Sequence, residues 1–132
     1  MNYWLLKTEP HTFSWEELKA KTSEPWDGVR NYQARNFMKD MKKGDLCFIY
    51  HSGDEKAIQG IATCVNEHYP DPTTDDPAWV CIDIAFFKDI NRKISLKELK
   101  ANPEMKGLLL LTHSRLSVMP VNEDIWNKIL SL

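Results

Sequence analysis

The feature that most constrains the fold is the apolar run from Leu46 to Ser52, which reads Leu-Cys-Phe-Ile-Tyr-His-Ser. Both alternating faces of this run are apolar until its last residues, a pattern typical of a strand that is covered on both sides. We therefore predict a central strand of a sheet, with Tyr50, His51 and Ser52 emerging at its tip.

Four further segments have the composition or the alternation of strands. Gly60, inside one of them, indicates a bulge or a close approach of another element to the backbone. Another of these segments stops at Pro120, which cannot donate to a strand ladder. The four predicted strands are Tyr3–Lys7, Ala57–Val65, Trp79–Lys88 and Ser114–Val118.

Short helices are predicted between these strands from their capping signals. Ser14 and Ser95 each precede a glutamate by three residues, which is a capping box, and Asn31 and Asn122 are suitable N-caps. A Pro- and Asp-rich segment, 69–77, is predicted to be a surface loop. The predicted helices cover 14–21, 31–43, 95–99 and 122–130. The resulting order predicts an α+β domain whose mixed sheet of five or six strands curls into a small barrel.

Composition and charge narrow the choice of partners. The chain has 132 residues, 42% of them hydrophobic and 27% charged, as expected of one globular domain. Its net charge of −2 is unlike that of a generic polyanion binder. The segment 30–43 nevertheless holds five basic residues and one acidic residue, whereas 67–77 holds four acidic residues and no basic one. A local basic patch suits a small anionic or nucleotide ligand, and the alternative is a solvated helix face.

The three cysteines form no CxxC pair and lie in apolar runs, which predicts free thiols in a reducing compartment, the cytoplasm. The four histidines are scattered without metal-ligand spacing, so no metal and no cofactor are predicted. No signal peptide or membrane span is expected, and no nucleophilic dyad or phosphate-binding loop is present. An enzyme with His51 or Glu9 as general base and a small-molecule sensor remain as alternatives.

The segment from Trp26 to Asn36 is the strongest candidate for a ligand site. It combines Trp26 and Tyr32 with a flexible Gly28, two arginines and several side-chain amides, and it contains few aliphatic residues. An aromatic ring at a bend, beside the free N–H groups of a helix start, can bind a planar or anionic ligand. The alternative interpretation is a core tryptophan followed by an exposed polar helix face.

Several of these motifs together resemble the EVE domain, a member of the PUA-like superfamily related to YTH domains, and especially its stand-alone bacterial members. The motifs are Tyr3-Trp4-Leu5-Leu6-Lys7-Thr8-Glu9-Pro10, the segment 26–36, Gly44-Asp45 with Tyr50-His51-Ser52, Gly60-Ile61-Ala62 and Ser114-Arg115-Leu116-Ser117-Val118. The resemblance implies a PUA-like pseudo-barrel, in which a curved mixed sheet is flanked by short helices.

The resemblance also implies a function. Such a domain is expected to bind, without catalysis, a modified base such as 5-methylcytosine in single-stranded or flipped DNA or RNA. Its base pocket would be formed by Trp26 as a wall, Asn31 as a polar reader, the mouth residues Lys7, Thr8, Glu9 and Pro10, and Tyr50, His51 and Ser52 on the opposite side. Ser114 and Arg115 would lie near the backbone phosphate. From the basic segment 30–43, Arg30, Arg35 and Lys39 are predicted to contact the nucleic-acid backbone as well.

Overall fold

The structure is a computed structural model that describes residues 1–132, and its framework is one six-stranded sheet. The strands are β1 (Tyr3–Thr8), β2 (Glu24–Pro25), β3 (Leu46–His51), β4 (Ala57–Pro70), β5 (Val80–Ser95) and β6 (Val118–Val121). The α-helices are α1 (Trp15–Lys19), α2 (Tyr32–Asp40), α3 (Leu96–Ala101) and α4 (Glu123–Leu130), and short 3-10 turns cover Pro103–Met105 and Leu109–Leu111. The spatial order of the strands is β2-β5-β4-β3-β1-β6.

Strand β3 lies inside the sheet, between β1 and β4, as its apolar pattern predicts. It runs parallel to β1 and antiparallel to β4. Because β1 and β3 are parallel, their carboxyl ends lie side by side, with Lys7 opposite Tyr50 and Thr8 opposite His51. The fold therefore brings two segments of the sequence motif together at one end of the sheet.

The α+β class and the mixed sheet are confirmed, but the sheet is not closed into a barrel. Strands β2 and β6 occupy its two edges. Each contains a proline, Pro25 or Pro120, that has no N–H to donate, and proline is confined to such edges in sheets. The two edge strands do not pair with each other, so the sheet stays open.

The bounds of several elements differ from the predictions. The predicted strand Ser114–Val118 is wrong, because the chain turns there, with Leu116 N–H donating to the His113 carbonyl, and the strand begins at Val118. Strands β4 and β5 pair well beyond their predicted ends, so the acidic loop begins only at Asp71. Strand β2 is too short to carry any sequence pattern. Helix α2 ends at Asp40 because Met41 is extended.

The helix starts agree with their capping signals. The side chains of Ser14, Asn31, Ser95 and Asn122 each accept a backbone N–H in the first turn of α1, α2, α3 and α4. Helix α4 packs on the sheet through Trp126, whose ring stacks on Phe48 at a centroid distance of 3.8 Å and on Tyr3 at 4.6 Å. The core is thus apolar and aromatic, and it leaves polar groups at the strand ends.

Gly60 lies under the ring of Trp15, as its place inside a strand predicts. A β-carbon at this position would overlap with the Cζ2, Cε2 and Cη2 atoms of Trp15. The pairing of β4 with β3 shifts register between Ile58 and Gly60, so the residue also marks a bulge. None of the helices is long and apolar enough to cross a lipid bilayer. The three cysteines are buried free thiols.

Candidate nucleic-acid interface

The segment that carries Trp26 is held against β5 before it turns away. Pro25 pairs with Asp83, and the backbone N–H of Trp26 donates to the Ile82 carbonyl at 2.7 Å. Gly28 then adopts a φ of +77°, which L-residues rarely do, and the chain turns toward α2. This geometry places Trp26 beside Lys7 and Thr8, at the carboxyl end of β1.

A cavity of about 310 Å³, here called the Trp26 pocket, opens beside this indole. The indole is 8% exposed and meets Phe13 edge to face at 6.0 Å between ring centroids. Its Nε1–H has no hydrogen-bond acceptor in the protein. Because every fully buried polar side-chain atom has a partner, this N–H must reach the opening. Trp26 is therefore packed on one side and faces an opening on the other. The residues that line the opening include Lys7, Thr8, Glu9, Thr12, Val29 and Ser117.

The polar lining of the Trp26 pocket is more acidic than basic. It contains three carboxylates, of Glu9, Glu24 and Asp27, and two cations, of Lys7 and Arg30. Glu24 is paired with Lys21 at 2.8 Å outside this set. Burial, together with the nearby Asp71 and Glu24 carboxylates, raises the pKa of Asp27 above its ordinary value. Such a lining repels a phosphate and offers acceptors to the amino group of a base.

Asp71 stabilises the segment Gly28–Arg30, which forms one wall of the Trp26 pocket and is called the pocket wall here. Its carboxylate is fully buried and accepts hydrogen bonds from Gly28 N–H and Arg30 Nη1, both at 2.9 Å, and from Thr73. Burial opposes the ionisation of Asp71, but the hydrogen bonds from Thr73, Arg30 and Gly28 outweigh it and hold its pKa well below the usual range. The charge of Arg30 is therefore paired with that of Asp71 in the pocket wall, which makes Arg30 a weaker partner for a phosphate.

An aromatic and cationic cluster follows on α2 beyond this wall. Tyr32, 62% exposed, lies 4.9 Å from the Trp79 ring, and the Arg35 guanidinium lies 4.9 Å from the Tyr32 ring. Arg35 also donates to the Ala78 carbonyl at 3.2 Å. Lys39, further along α2, is exposed and forms no ion pair.

Asn31, Ser114 and Arg115 lie together, but not in the Trp26 pocket. They line a shallow depression of about 240 Å³ at the start of α2. The Oδ1 atom of Asn31 accepts from Ala34 N–H at 2.9 Å, so the side chain caps the helix. Arg115 is exposed and has no partner in the protein. Asn31 is thus positioned beside a cationic groove instead of beside the indole.

Tyr50 and Ser52 line a third cavity, of about 310 Å³, here called the Tyr50 pocket. Lys7 lies between it and the Trp26 pocket and lines both. The Nζ atom of Lys7 donates to the Ser114 carbonyl at 3.0 Å, and burial lowers the Lys7 pKa. The three cavities therefore surround a single contact, between Lys7 and Ser114.

His51 and Pro10 line none of the three cavities. His51 is 5% exposed; its Nε2 accepts from Trp15 N–H at 2.9 Å, which leaves Nδ1–H to donate to Glu55 at 2.9 Å. Hydrogen bonds from Lys93 and His51 lower the pKa of Glu55 to about 2. Both ring nitrogens are occupied, so His51 has no free atom with which to act as a general base.

Sequence reasoning missed three features of the site. Asp27 belongs to the quoted motif, but only its neighbours in the fold identify it as a pocket carboxylate. The contact between Asp71 and Arg30 joins positions 41 residues apart, and the opposite charges of the two segments were its only signal. Lys56 and Lys100 lie outside all motifs. No three His, Cys, Asp or Glu side chains are grouped as a metal site.

An open mixed sheet with short helices, and with cavities at the carboxyl ends of its two parallel strands, is a PUA-like α+β domain. The chain matches the family model of the EVE domain over residues 2–132. It is 39% identical to thymocyte nuclear protein 1 of Mus musculus, in an alignment covering 99% of this chain and 73% of that protein. The chain therefore belongs to the EVE domain family.

Solved structures agree with this assignment. A protein from Agrobacterium tumefaciens superposes with a TM-score of 0.96 at 45% identity, over 99% of this chain and 92% of the other. Human THYN1, crystallised in complex with DNA containing 5-methylcytosine, superposes with a TM-score of 0.92 at 36% identity, over 99% of this chain and 96% of the other.

Proposed function

We propose that this protein is a non-catalytic reader that places one modified base of a nucleic-acid strand, of the 5-methylcytosine type, in the Trp26 pocket. The observation that carries the proposal is the opening beside the indole of Trp26, lined by carboxylates. It is supported by the human family member that was crystallised with DNA containing 5-methylcytosine. A base can enter such a pocket only from a single strand or after flipping out of a duplex.

The energetics require polar contacts as well as stacking. Stacking on an aromatic ring contributes roughly 1–3 kcal/mol per base. Burial of one methyl group adds only about 0.8 kcal/mol, so the methyl group alone gives weak discrimination. Carboxylates accept hydrogen bonds from the exocyclic amino group of cytosine, and a base without that group would leave them unpaired. Asp27 is the carboxylate best suited to this role, because Glu24 is paired with Lys21 and Glu9 accepts from the backbone N–H of His11, whereas Asp27 forms neither an ion pair nor a hydrogen bond with another residue.

The backbone of the strand would run over the basic groups around the pocket. Arg115 and Ser114, with the first turn of α2 capped by Asn31, form the depression nearest to the Lys7–Ser114 contact. Arg35 and Lys39 would extend this path along α2, and Tyr32 and Trp79 offer further stacking surfaces. The same groups can contact DNA or RNA. The three buried free thiols support a cytoplasmic location.

The test compares two single-stranded oligonucleotides that differ only in one 5-methylcytosine, titrated by fluorescence anisotropy at low salt. We expect tighter binding of the methylated strand, and we expect Trp26→Leu to reduce its affinity by roughly tenfold while narrowing the difference between strands. Trp126→Phe, a core substitution outside the three cavities, is the control for indirect effects of lost stability. Equal binding of both strands, unchanged in a folded Trp26→Leu variant, would refute the proposal.

A further inference from the structure

The Tyr50 pocket has a lining of a different character from that of the Trp26 pocket. Three lysines line it, Lys7, Lys56 and Lys100, together with the hydroxyl-bearing residues Tyr50, Ser52 and Ser114, and it contains no carboxylate. Its floor is apolar, formed by Leu96, Leu110 and Leu111. The two cavities share Lys7 but differ in the sign of their charge.

Tyr50 supplies the pocket with a hydroxyl group on a buried side chain. The residue is 3% exposed, yet no protein group accepts or donates a hydrogen bond at its hydroxyl, although every fully buried polar side-chain atom has a partner. The hydroxyl must therefore reach the cavity that the residue lines. Burial raises the pKa of Tyr50, so the group stays an O–H donor at neutral pH. A tyrosine placed in this way is ready to donate to an acceptor that the protein does not supply.

The lysines of the pocket are not neutralised by the protein. None of Lys7, Lys56 and Lys100 forms an ion pair; the ammonium group of Lys7 donates only to a carbonyl. Glu55, next to Lys56 in the chain, is engaged with His51 and Lys93. Glu9 accepts from the backbone N–H of His11 through Oε1, and its Oε2 lies beside Gly53 of the pocket without forming an ion pair with any of the three lysines. Three uncompensated ammonium groups around one cavity attract a multivalent anion.

Lys56 is also held at this place by the backbone. It is the one non-glycine residue with positive φ, at +45°, and its carbonyl accepts from Leu96 N–H at 2.8 Å. That hydrogen bond ties the turn before β4 to the start of α3, which carries Lys100. The separation between the backbones that carry the two lysines is thereby set by the fold.

We propose that the Tyr50 pocket binds a phosphoryl group, with Tyr50 Oη donating to one of its oxygens and Lys7, Lys56 and Lys100 balancing its charge. The hydroxyl of Ser52 also lines the pocket but donates to the Thr8 carbonyl at 3.3 Å. A phosphoryl group offers several acceptor oxygens and more than one negative charge, which matches this set of donors. It can be carried by the end of a nucleic-acid strand or by a free phosphorylated metabolite. The inference does not rest on base recognition in the Trp26 pocket, because phosphate itself serves as the probe.

The first experiment titrates inorganic phosphate into the protein at constant ionic strength, followed by calorimetry and by backbone amide NMR. We expect saturable binding, with shifts at residues 50–56 and at the start of α3. Tyr50→Phe removes only the unpartnered hydroxyl, and we expect it to weaken binding by roughly two- to tenfold. Lys100→Ala should weaken it by roughly three- to tenfold, whereas Lys128→Ala, which removes an exposed lysine outside the cavities, should leave it unchanged.

Binding that is absent, or that is the same in the wild type, Tyr50→Phe and Lys100→Ala, would overturn the inference. A second experiment compares oligonucleotides with and without a 5′-phosphate. A preference for the phosphorylated strand that disappears in Tyr50→Phe would identify a strand end as the source, and saturable phosphate binding without that preference would identify a free phosphorylated compound. Trp26→Leu should leave phosphate binding intact, so a failure of base reading is recognised separately.

Discussion

Asp27 is a residue of the Trp26 pocket whose ionisation lowers the stability of the folded protein and provides the hydrogen-bond acceptor proposed for the base. Its carboxylate faces the neighbouring acids Asp71 and Glu24, and its raised pKa means that the folded state resists ionisation. Ionised Asp27 therefore destabilises the protein at pH values above its pKa, in contrast to a carboxylate with a lowered pKa. A carboxylate that lies in a cleft and has its pKa shifted from the ordinary value is typical of a functional site.

We therefore predict opposite effects of Asp27→Asn on stability and on binding. Loss of the charge should raise the free energy of unfolding at pH 7 slightly, by less than about 1 kcal/mol, because the residue is only partly covered and solvent screens its carboxylate. It should weaken binding of the 5-methylcytosine strand by roughly two- to tenfold, since a charged acceptor is replaced by a neutral one. Urea denaturation and anisotropy measure the two quantities. Asp54→Asn, in an exposed turn, is the control, and an Asp27→Asn protein with unaltered affinity would exclude Asp27 from recognition.

Gly60 provides a prediction on stability alone. Because a β-carbon there would overlap with the Trp15 ring, Gly60→Ala should lower the free energy of unfolding by roughly 1–3 kcal/mol. Trp15 cannot easily yield, because its indole N–H donates to Asp89 at 3.2 Å. The cost should shrink in a Trp15→Leu background, as a double-mutant cycle in urea would reveal. An equal cost in both backgrounds would mean that the overlap is not the cause.

At the scale of elements, the loop between β4 and β5 supports the pocket wall through one carboxylate. Asp71 accepts hydrogen bonds from both Gly28 and Arg30, so it fixes the turn that follows Trp26. Its folded pKa lies below the unfolded value of about 4, so its contribution to stability is present above pH 4 and is lost as the pH falls further. The pocket wall should therefore loosen in acid before the sheet does.

We predict that Asp71→Asn lowers the free energy of unfolding by about 2 kcal/mol at pH 7, because it weakens the buried hydrogen bonds. The difference from the wild type should diminish as the pH falls from about 4 to 2, as the wild-type carboxylate takes up its proton. Urea midpoints at several pH values measure this difference. Asp75→Asn, an exposed change in the same loop, is the control. A difference that persists undiminished at pH 2 would contradict the assigned role of Asp71.

Elements with strong local signals could be predicted from the sequence, and those fixed by distant contacts could not. The capping residues Ser14, Asn31, Ser95 and Asn122 mark their helices because a cap acts within one turn. Strand β2 exists only because β5 lies beside it, and β6 begins at Val118 because it pairs with β1. The extra length of β4 and β5 likewise depends on their pairing with each other.

At the scale of the whole molecule, the parallel pairing of β1 and β3 organises the site. It brings the 7–9 and 50–52 segments together, as the motifs suggested, but the fold then separates their side chains into different cavities. Trp26 lies with Lys7, Thr8 and Glu9, whereas Asn31 joins Arg115. Successive side chains of a strand point to opposite faces of the sheet. The motif alone does not determine which residues of other elements line each cavity.

The division of charge among the cavities follows from the same arrangement. Three carboxylates and two cations line the Trp26 pocket, whereas the two cavities beside it are lined by unpaired cations and by no carboxylate. Under the proposed function, a strand whose base enters the first cavity would keep its phosphates near the others, and a chain of net charge −2 would bind a polyanion locally. We therefore expect the base to bind beside Trp26 and not on the rings of Tyr32 and Trp79.

The indole N–H signals of the five tryptophans distinguish these two binding sites by ¹H–¹⁵N NMR. The Trp26 signal is identified by its absence in Trp26→Phe, and Trp126, packed between Phe48 and Tyr3, is an internal reference. We predict that a strand with one 5-methylcytosine shifts the Trp26 signal strongly, that an abasic site at that position does not, and that Trp126 stays unchanged. A Trp26 signal that remains in place when the protein is saturated with the methylated strand would show that the base does not enter the Trp26 pocket.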